Sequence, residues 1–304
     1  MTDFPKRLAK VGASIEDALE ALLGAEPRSG ELARPQRLLD AMRYGVLGGG
    51  KRLRPFLTIE TARALGVTGD APLRAGAAIE CIHGYSLVHD DLPAMDDDDL
   101  RRGRPTAHRA FDEATAILAG DALQTIAFEI IADPATHPDG AVRAELCLGL
   151  ARASGLAGMA GGQMLDIVAE SATEPLSERA ILLLQAMKTG ALLRFSVEAG
   201  AIVARATPAR RVALARYGEA LGAAFQVADD ILDAVSTDAE LGKRAGKDAD
   251  RNKGTLVSIH GLKAAEALRD KLVAKALAAL DEADLGAEGD ILREAARFTA
   301  ERRN

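Results

Sequence analysis

The strongest constraint on the fold is that helix-favouring sequence runs along the whole chain. Ala and Leu are abundant, β-branched residues are sparse, and the alternation typical of strands never lasts more than a few residues. Ser14, Ser177 and Thr207 stand where helix N-caps are expected. No long segment rich in Gly, Ser or Pro separates two parts of the chain. We therefore predict one all-α domain that spans residues 1–304.

Composition argues against several classes of function. The chain has 38 Lys and Arg against 45 Asp and Glu, a net charge of -7, so it lacks the basic surface that general nucleic-acid binding requires. Its two cysteines, Cys81 and Cys147, are too few for a disulfide framework and fit a reducing compartment. Asp121 and Glu129 interrupt the most apolar stretch, and the N-terminal segment has no signal-peptide core. We expect a cytoplasmic protein without membrane insertion.

An Asp-rich segment, HDDLPAMDDDDLRRG, follows an apolar run that ends near Val88. Carboxylates at the C-terminal end of a helix oppose its dipole, which destabilises the helix unless a cation is bound. Asp90 and Asp96 would lie on different faces of a continuous helix, and Pro93 permits a bend that brings them together. An EF-hand is excluded because the central Gly and terminal Glu are missing. The segment is typical of an oxygen-ligand site for a cation such as Mg²⁺.

A second Asp-rich segment, FQVADDILDAVS, has helical spacing. Gln226, Asp229, Asp230 and Asp233 fall at i, i+3, i+4 and i+7 and so share one face of a helix. A polar face alone usually faces solvent, but two such clusters in a helical protein indicate carboxylates on both sides of one cavity. Two clusters holding several Mg²⁺ ions would suit a diphosphate leaving group.

Basic residues stand near places where diphosphates would bind. The segment GGGKRLRP combines three glycines with Lys51, Arg52 and Arg54. It partly matches a P-loop, but Arg52 replaces the Mg²⁺-binding Ser or Thr and no strand precedes it, so a P-loop is rejected. A glycine-rich turn with flanking cations is what remains, and it is typical of anion binding.

These motifs, in the order GGGKRLRP, HDDLPAMDDDDLRRGRPT, GGQMLD, MKTGAL and AFQVADDILD, resemble the trans-prenyltransferases, or isoprenyl diphosphate synthases. The match is closest to bacterial farnesyl diphosphate synthases. The resemblance implies the isoprenoid-synthase fold, a single all-α bundle with a deep central cavity, and a homodimer. It implies head-to-tail condensation of isopentenyl diphosphate with an allylic diphosphate, dependent on about three Mg²⁺ ions, with Mn²⁺ as a possible substitute.

The resemblance also implies roles for individual residues. The metal ligands would be Asp90, Asp96 and Asp229, supported by Asp91, Asp230 and Asp233. The allylic diphosphate would be held by Arg101, Lys188, Lys243 and Lys253, and isopentenyl diphosphate by Lys51, Arg54, His83 and Arg102. The allylic cation would be stabilised by oxygens of Lys188, Thr189 and Gln226. Gln163 and Asp166, in GGQMLD, are given no role beyond a polar shell around the cavity.

Product length is predicted from the helix that carries the first motif. Tyr85 lies five residues before Asp90, roughly 7.5 Å along a helix, and its neighbour Ser86 is small. By the resemblance, a bulky aromatic at this position accompanies fifteen-carbon farnesyl products, whereas small residues accompany longer ones. Tyr85 is therefore the predicted floor of the product cavity. A core aromatic without that role is the alternative at this position.

Three other functions stay open at this stage. A geranylgeranyl diphosphate synthase would differ only in product length. A class I terpene cyclase would share the fold and the first motif, but its second metal motif normally mixes Asn or Asp, Ser or Thr, and Glu instead of DDILD. A non-catalytic subunit that modulates a partner synthase would have lost its Asp clusters, and this chain retains both.

Overall fold

The computed structural model describes residues 3–235 and 255–301, and most of them are helical. The helices in chain order are α1 Phe4–Leu22, α2 Gln36–Val46, α3 Leu53–Ala64, α4 Asp70–Asp90, α5 Ala107–Ala110, α6 Glu113–Ala132, α7 Gly140–Ser154, α8 Met159–Glu170, α9 Glu178–Gln185, α10 Ala191–Val203, α11 Pro208–Val235, α12 Leu256–His260, α13 Leu262–Ala283 and α14 Asp290–Glu301. A π-helical turn, Ala186–Gly190, joins α9 to α10, and a 3₁₀ turn, Gly286–Gly289, precedes α14. The predicted all-α class is confirmed.

Two of the three predicted N-caps are correct. The Ser177 hydroxyl accepts the Ala180 backbone N–H at 3.3 Å, and the Thr207 hydroxyl accepts that of Arg210 at 3.4 Å. The Ser14 prediction is wrong because α1 begins ten residues earlier, with Asp3 as its N-cap and a proline in its first turn. Ser14 instead lies within α1 and donates its hydroxyl to the Lys10 carbonyl at 3.2 Å.

The first Asp-rich segment leads into a small hairpin that the sequence analysis missed. Strands β1 Leu100–Arg101 and β2 Arg104–Pro105 pair antiparallel. Between them Arg102 and Gly103 both have positive φ, 53° and 74°, as a type I′ turn requires. Strands of two residues are too short to leave an alternating pattern in the sequence.

Helix α4 lies in the middle of the bundle and determines where the first Asp-rich segment emerges. Its central residues, including Ala78, Ile79 and Ile82, are fully buried, and it packs mainly against α3 and α6. Helix α10 packs against α3 and α11, and the buried Thr58 hydroxyl donates to the Ser196 carbonyl at 2.8 Å across the first of these contacts. As a result, the N-terminal end of α3 and the C-terminal parts of α4 and α11 lie around one cavity.

Two stretches, Glu113–Ala132 and Glu178–Val203, are long and apolar enough by length and composition to cross a membrane. Both lie within the helical bundle, where 44% and 33% of their apolar windows are buried. Core helices of soluble proteins pass the same test, so these stretches are weak evidence for membrane insertion.

Candidate active site

The first Asp-rich segment turns back on itself where α4 ends. Asp90 is the last residue of α4, and its carbonyl accepts the backbone N–H of Asp96 at 2.8 Å. The backbone N–H groups of Asp97 and Asp98 bond in turn to the carbonyls of Leu92 and Asp91, at 3.1 and 3.2 Å. The bend predicted from Pro93 is therefore present, and it brings Asp96 back beside Asp90.

The two carboxylates that end α4 have different surroundings. Burial, together with Asp96 and Asp91, raises the pKa of Asp90 to about 6, while Lys188 and Arg101 act in the opposite direction. Asp91 is buried and accepts Arg101, with Nη2 at 2.6 Å and Nε at 2.7 Å. Negative charge thus accumulates at Asp90, whereas Asp91 is neutralised by Arg101.

The described part of the second Asp-rich segment, residues 225–235, occupies the C-terminal part of α11. Asp230 is buried, and its carboxylate accepts Nε2 of Gln185 at 2.9 Å, Nε2 of Gln226 at 3.3 Å and the backbone N–H of Leu256 at 3.3 Å. These contacts tie α11 to the end of α9 and the start of α12. Asp229 is partly exposed and Asp233 is exposed on the same helix.

The glycine-rich turn is shaped around two arginines of the hairpin: a Cβ on Gly48 would clash with the Arg104 guanidinium, and one on Gly50 with that of Arg102. Gly48, Gly49 and Gly50 all have positive φ, between 103° and 125°, which favours glycine. Arg102 donates to the Gly49 carbonyl. A Cβ on Gly50 would lie 2.7 Å from Nη1 of Arg102, so the missing side chains let these guanidinium groups contact the turn.

The buried Arg52 anchors the same turn to α1 and α4. Its guanidinium donates to Glu80 at 2.5 Å and, through Nε, to Glu16 at 2.9 Å. Both carboxylates were missed in the sequence analysis. A lone Glu80 within the apolar run AAIECIHG was the available signal, because buried carboxylates are paired in native structures.

Two cavities meet at the ends of α3 and α4. The first, of about 450 Å³, we call the basic cavity; it is lined by Gly50, Lys51, Arg52, Leu53, Arg54, Glu80, His83, Arg102, Phe225, Phe298 and Thr299. The second, of about 330 Å³, we call the Asp90 cavity; it is lined by Arg54, His83, Tyr85, Ser86, Leu87, His89, Asp90, Met95, Met159, Ala160, Gln163, Met164, Ile167, Lys188 and Thr189. Arg54 and His83 line both cavities and so form their shared wall.

The shared wall is electropositive and poorly solvated. Burial lowers the pKa of Arg54, while the charges of Glu80 and Asp229 raise it. The second Asp-rich segment therefore acts electrostatically on this wall. Nε of Arg54 is buried without a hydrogen-bond partner. Burial also lowers the pKa of His83 well below its ordinary value, and Arg54 and Arg102 lower it further. An anion bound in the basic cavity would be stabilised by these groups.

Lys188 and Thr189 lie in the π-helical turn, and both line the Asp90 cavity. A sequence alone does not predict such a turn, and residues 177–204 are typical of one uninterrupted helix. Lys188 Nζ lies 2.5 Å from Oδ2 of Asp166. Asp166 and Gln163, left without specific roles by the motif, therefore lie at this cavity or beside it.

Two aromatic side chains of α4, Tyr85 and His89, line the Asp90 cavity. Tyr85 is 8% exposed and packs edge-on against the His89 ring at 5.8 Å. Ser86 donates its hydroxyl to the His83 carbonyl at 2.8 Å. Tyr85 is thus a bulky, largely buried residue that lines the Asp90 cavity, and its role as the floor of the product cavity stays a prediction.

The described residues contain no group of three or more His, Cys, Asp or Glu side chains that is already arranged to hold a metal ion. The oxygen donors at Asp90, Asp96 and Asp229 nevertheless suit Mg²⁺, which typically takes one or two carboxylates plus substrate phosphates. Crowding of Asp90 by Asp96 and Asp91 is the electrostatic condition that a cation relieves. The residues therefore fit the ion. The predicted diphosphate ligands Lys243 and Lys253 lie outside the described residues.

A family profile, curated relatives and a solved structure all match this chain over most of its length. The polyprenyl synthetase family profile matches residues 35–287. A farnesyl diphosphate synthase of Escherichia coli K12 is 47% identical over 86% of each chain, and one of Haemophilus influenzae is 45% identical over 93% of this chain and 94% of its own. The crystal structure of an FPP/GFPP synthase from Zymomonas mobilis superposes with a TM-score of 0.86 at 44% identity, covering 98% of this chain and 99% of its own.

Proposed function

The chain belongs to the polyprenyl synthetase family, and on that premise we propose that it is a farnesyl diphosphate synthase. It condenses isopentenyl diphosphate head-to-tail with dimethylallyl diphosphate and then with geranyl diphosphate, giving (2E,6E)-farnesyl diphosphate and releasing diphosphate. Several relatives at 42–47% identity are farnesyl diphosphate synthases. A geranylgeranyl pyrophosphate synthase of Catharanthus roseus is less similar, at 39%.

The shared wall of the two cavities is the observation that carries this proposal. A condensation of two diphosphates needs two anion sites with different chemistry, since one diphosphate leaves and the other stays attached. The basic cavity is lined by the four cations or donors assigned to isopentenyl diphosphate: Lys51, Arg54, His83 and Arg102. The Asp90 cavity holds Asp90, Lys188 and Thr189. Because the two cavities share a wall, they are adjacent, and substrates bound in them can bring their reacting carbons close together.

The metal assignment is part of the proposal. Asp90, Asp96 and Asp229 would hold Mg²⁺, or Mn²⁺ in its place, together with the allylic diphosphate, and Asp233 would assist. When bound, the ions neutralise the diphosphate and so help it to depart. The bonds that Asp91 makes to Arg101 and Asp230 makes to Gln226 support an indirect role for these two carboxylates.

The allylic diphosphate leaves when its carbon–oxygen bond breaks and the electron pair stays with the diphosphate. Lys188 and Arg101, with Lys243 and Lys253 as further candidates, bind that leaving group. The carbonyl of Lys188, the hydroxyl of Thr189 and the side-chain oxygen of Gln226 stabilise the allylic cation by their dipoles. The hydrogen bond from Gln226 Nε2 to Asp230 supports this role, because it leaves the amide oxygen to face the cation.

Carbon–carbon bond formation follows when the double bond of isopentenyl diphosphate attacks the allylic cation. The resulting cation loses a proton, and we propose the released diphosphate as the base. His83, with its pKa lowered by burial, is a neutral donor to the isopentenyl diphosphate and is not a general acid. A second round on the ten-carbon product gives the fifteen-carbon one, and Tyr85 then blocks further growth.

Assembly and location are also proposals. Exposed apolar side chains on α6 and α7, Ile117, Leu118 and Leu148, support a homodimer that buries them. Cys81 and Cys147 are both free thiols, which supports a cytoplasmic location. The chain offers only two stretches long and apolar enough to cross a membrane among its described residues, which is weak evidence for insertion, and we propose a protein without membrane insertion. Light scattering on the purified protein tests the dimer.

One assay tests the function. Purified protein is incubated with radiolabelled isopentenyl diphosphate, dimethylallyl diphosphate and Mg²⁺, and the products are dephosphorylated and separated by chain length. We expect farnesol as the main labelled alcohol. Geranylgeraniol as the main product would establish the longer-chain synthase instead. A hydrocarbon formed from an allylic diphosphate alone would indicate a terpene cyclase, and the absence of any product would indicate a non-catalytic subunit.

A further inference from the structure

We propose that Asp166 is a positioning residue that orients the Lys188 ammonium toward the allylic diphosphate, and that the GGQMLD segment is shaped to bring the two residues together. The proposal rests on the proposed function. Its first support is the ion pair: Lys188 Nζ lies 2.5 Å from Oδ2 of Asp166, and the two side chains are 25% and 10% exposed. A charge-assisted bond of this kind, partly shielded from water, fixes a side chain that would otherwise sample many rotamers.

The glycines of the same segment allow α8 to touch the backbone of the π-helical turn. A Cβ on Gly162 would lie 2.6 Å from the Lys188 Cα and 2.8 Å from the Met187 carbonyl carbon. A Cβ on Gly161 would lie 2.8 Å from the Met187 side chain. Any larger residue at Gly162 would push the two elements apart. Asp166 is four residues after Gly162 and so lies on the same helix face, directed at the same turn.

Helix α8 buries mainly small side chains and exposes several large apolar ones, the opposite of the usual arrangement. Its buried residues include Gly162, Asp166 and Ala169, whereas Met164 and Val168 are more than half exposed. A helix that only filled the core would turn its large apolar side chains inward. Apart from Met159, the buried residues of α8 are small or are Asp166, while Met164 and Ile167 line the Asp90 cavity. The small buried residues match a role in holding the π-helical turn.

The π-helical turn is also held from its other side. A Cβ on Gly222 of α11 would lie 3.1 Å from the Gly190 Cα, so α11 packs closely against the end of the turn. Gln185, which precedes the turn, donates to Asp230 of α11 at 2.9 Å. The Lys188 backbone is thus fixed between α8 and α11, and Asp166 fixes the end of its side chain. Pre-organisation of this kind favours orientation of a bound substrate.

A double-mutant cycle tests whether Asp166 acts through Lys188. The variants are Asp166→Asn, Lys188→Ala and the double variant, and kcat and KM are measured for both substrates. We expect Asp166→Asn to lower kcat/KM for the allylic diphosphate about 10- to 100-fold with an unchanged KM for isopentenyl diphosphate. In the Lys188→Ala background it should have almost no further effect. If the effects of the two single substitutions on kcat/KM multiply in the double variant, Asp166 acts independently of Lys188. If Asp166→Asn lowers the KM for the allylic diphosphate, Asp166 only competes with the substrate for Lys188. Either result overturns the proposal.

Two further variants separate positioning from stability. Gly162→Ala should reproduce the allylic-specific loss without removing a charge, and Asp166→Glu should restore part of the activity lost in Asp166→Asn. Glu282→Gln, which breaks the exposed Arg216–Glu282 pair, is the matched control and should leave both constants unchanged. Equal loss for both substrates in Gly162→Ala, with no rescue by Asp166→Glu, would mean that α8 is only structural.

Calorimetric titration with inorganic diphosphate and Mg²⁺ keeps this test independent of turnover. Wild type should bind the probe more tightly than Asp166→Asn, and equal binding would count against the positioning role. If the wild type bound diphosphate in this Asp166-dependent way but failed to condense isopentenyl diphosphate, the proposed function would fail while the positioning role of Asp166 stood.

Discussion

His83 and Arg54 lie side by side in the wall shared by the basic cavity and the Asp90 cavity. The pKa of the His83 imidazole is lowered by burial, and the Arg54 guanidinium charge lowers it further. The imidazole therefore stays neutral near pH 7 and offers one N–H donor and one acceptor. A neutral donor beside Lys51, Arg54 and Arg102 would add hydrogen bonding to the proposed isopentenyl diphosphate site without adding more like charge.

This lowered pKa predicts a pH-dependent stability. Below pH 6.5, the ordinary pKa of His, His83 binds a proton in the unfolded chain but stays neutral in the folded protein. The stability of the wild type therefore falls as pH falls. The loss approaches about 1.4 kcal/mol per pH unit. Chemical denaturation of wild type and His83→Gln, without substrates, at pH 5.5 and 7.5 checks this. The free energy of unfolding of the variant, relative to that of the wild type, should be higher at pH 5.5 than at pH 7.5. An equal difference at both pH values would contradict the assignment.

Product length should depend on Tyr85. Tyr85→Ala removes the ring that packs edge-on against His89 at 5.8 Å, so the cavity lengthens and geranylgeranyl or longer products should form. Tyr85→Phe keeps the ring and should still stop at fifteen carbons. Chain lengths are measured by mass spectrometry of dephosphorylated products, with circular dichroism to confirm folding. A folded, active Tyr85→Ala enzyme that still stops at fifteen carbons would place the floor elsewhere.

The two diphosphate sites should separate kinetically. Lys51→Ala or Arg54→Ala should raise KM for isopentenyl diphosphate by about 10-fold or more, the value of a lost charge-assisted hydrogen bond, with a much smaller effect on the allylic KM. Lys188→Ala should do the reverse. Steady-state kinetics with each substrate varied in turn measures this, and an equal rise in both constants for all three variants would refute the assignment.

The glycine-rich turn offers a matched pair of substitutions. Gly49 and Gly50 both have positive φ, so alanine is strained at either position. Only at Gly50 would the new Cβ meet Arg102, since nothing lies within 4 Å at Gly49. Gly50→Ala should therefore raise KM for isopentenyl diphosphate more than Gly49→Ala does. Equal effects would show that backbone strain alone matters and that the Arg102 contact with the turn is unimportant.

The motifs could be predicted from the sequence because they depend on the spacing of residues close together in the chain. The face shared by Gln226, Asp229 and Asp233 follows from helical periodicity, and the bend at Pro93 follows from proline geometry. The contacts between elements were not readable in this way. The Lys188–Asp166 pair joins residues from α8 and the π-helical turn, and the Arg52–Glu80 pair joins α4 to the turn before α3. Both depend on tertiary packing that no local pattern encodes.

The central claim is that two carboxylate clusters act together on one leaving diphosphate. Its most direct test is turnover by Asp229→Ala at saturating substrates and Mg²⁺, with Asp270→Ala, an exposed carboxylate on α13, as the control. The account predicts a loss of ~10²–10³-fold in kcat for Asp229→Ala, as for other groups that stabilise developing charge, and a comparable loss for Asp90→Ala. It also predicts complete loss of wild-type activity in EDTA, restored by Mg²⁺. Near-normal turnover by a folded Asp229→Ala protein would contradict it.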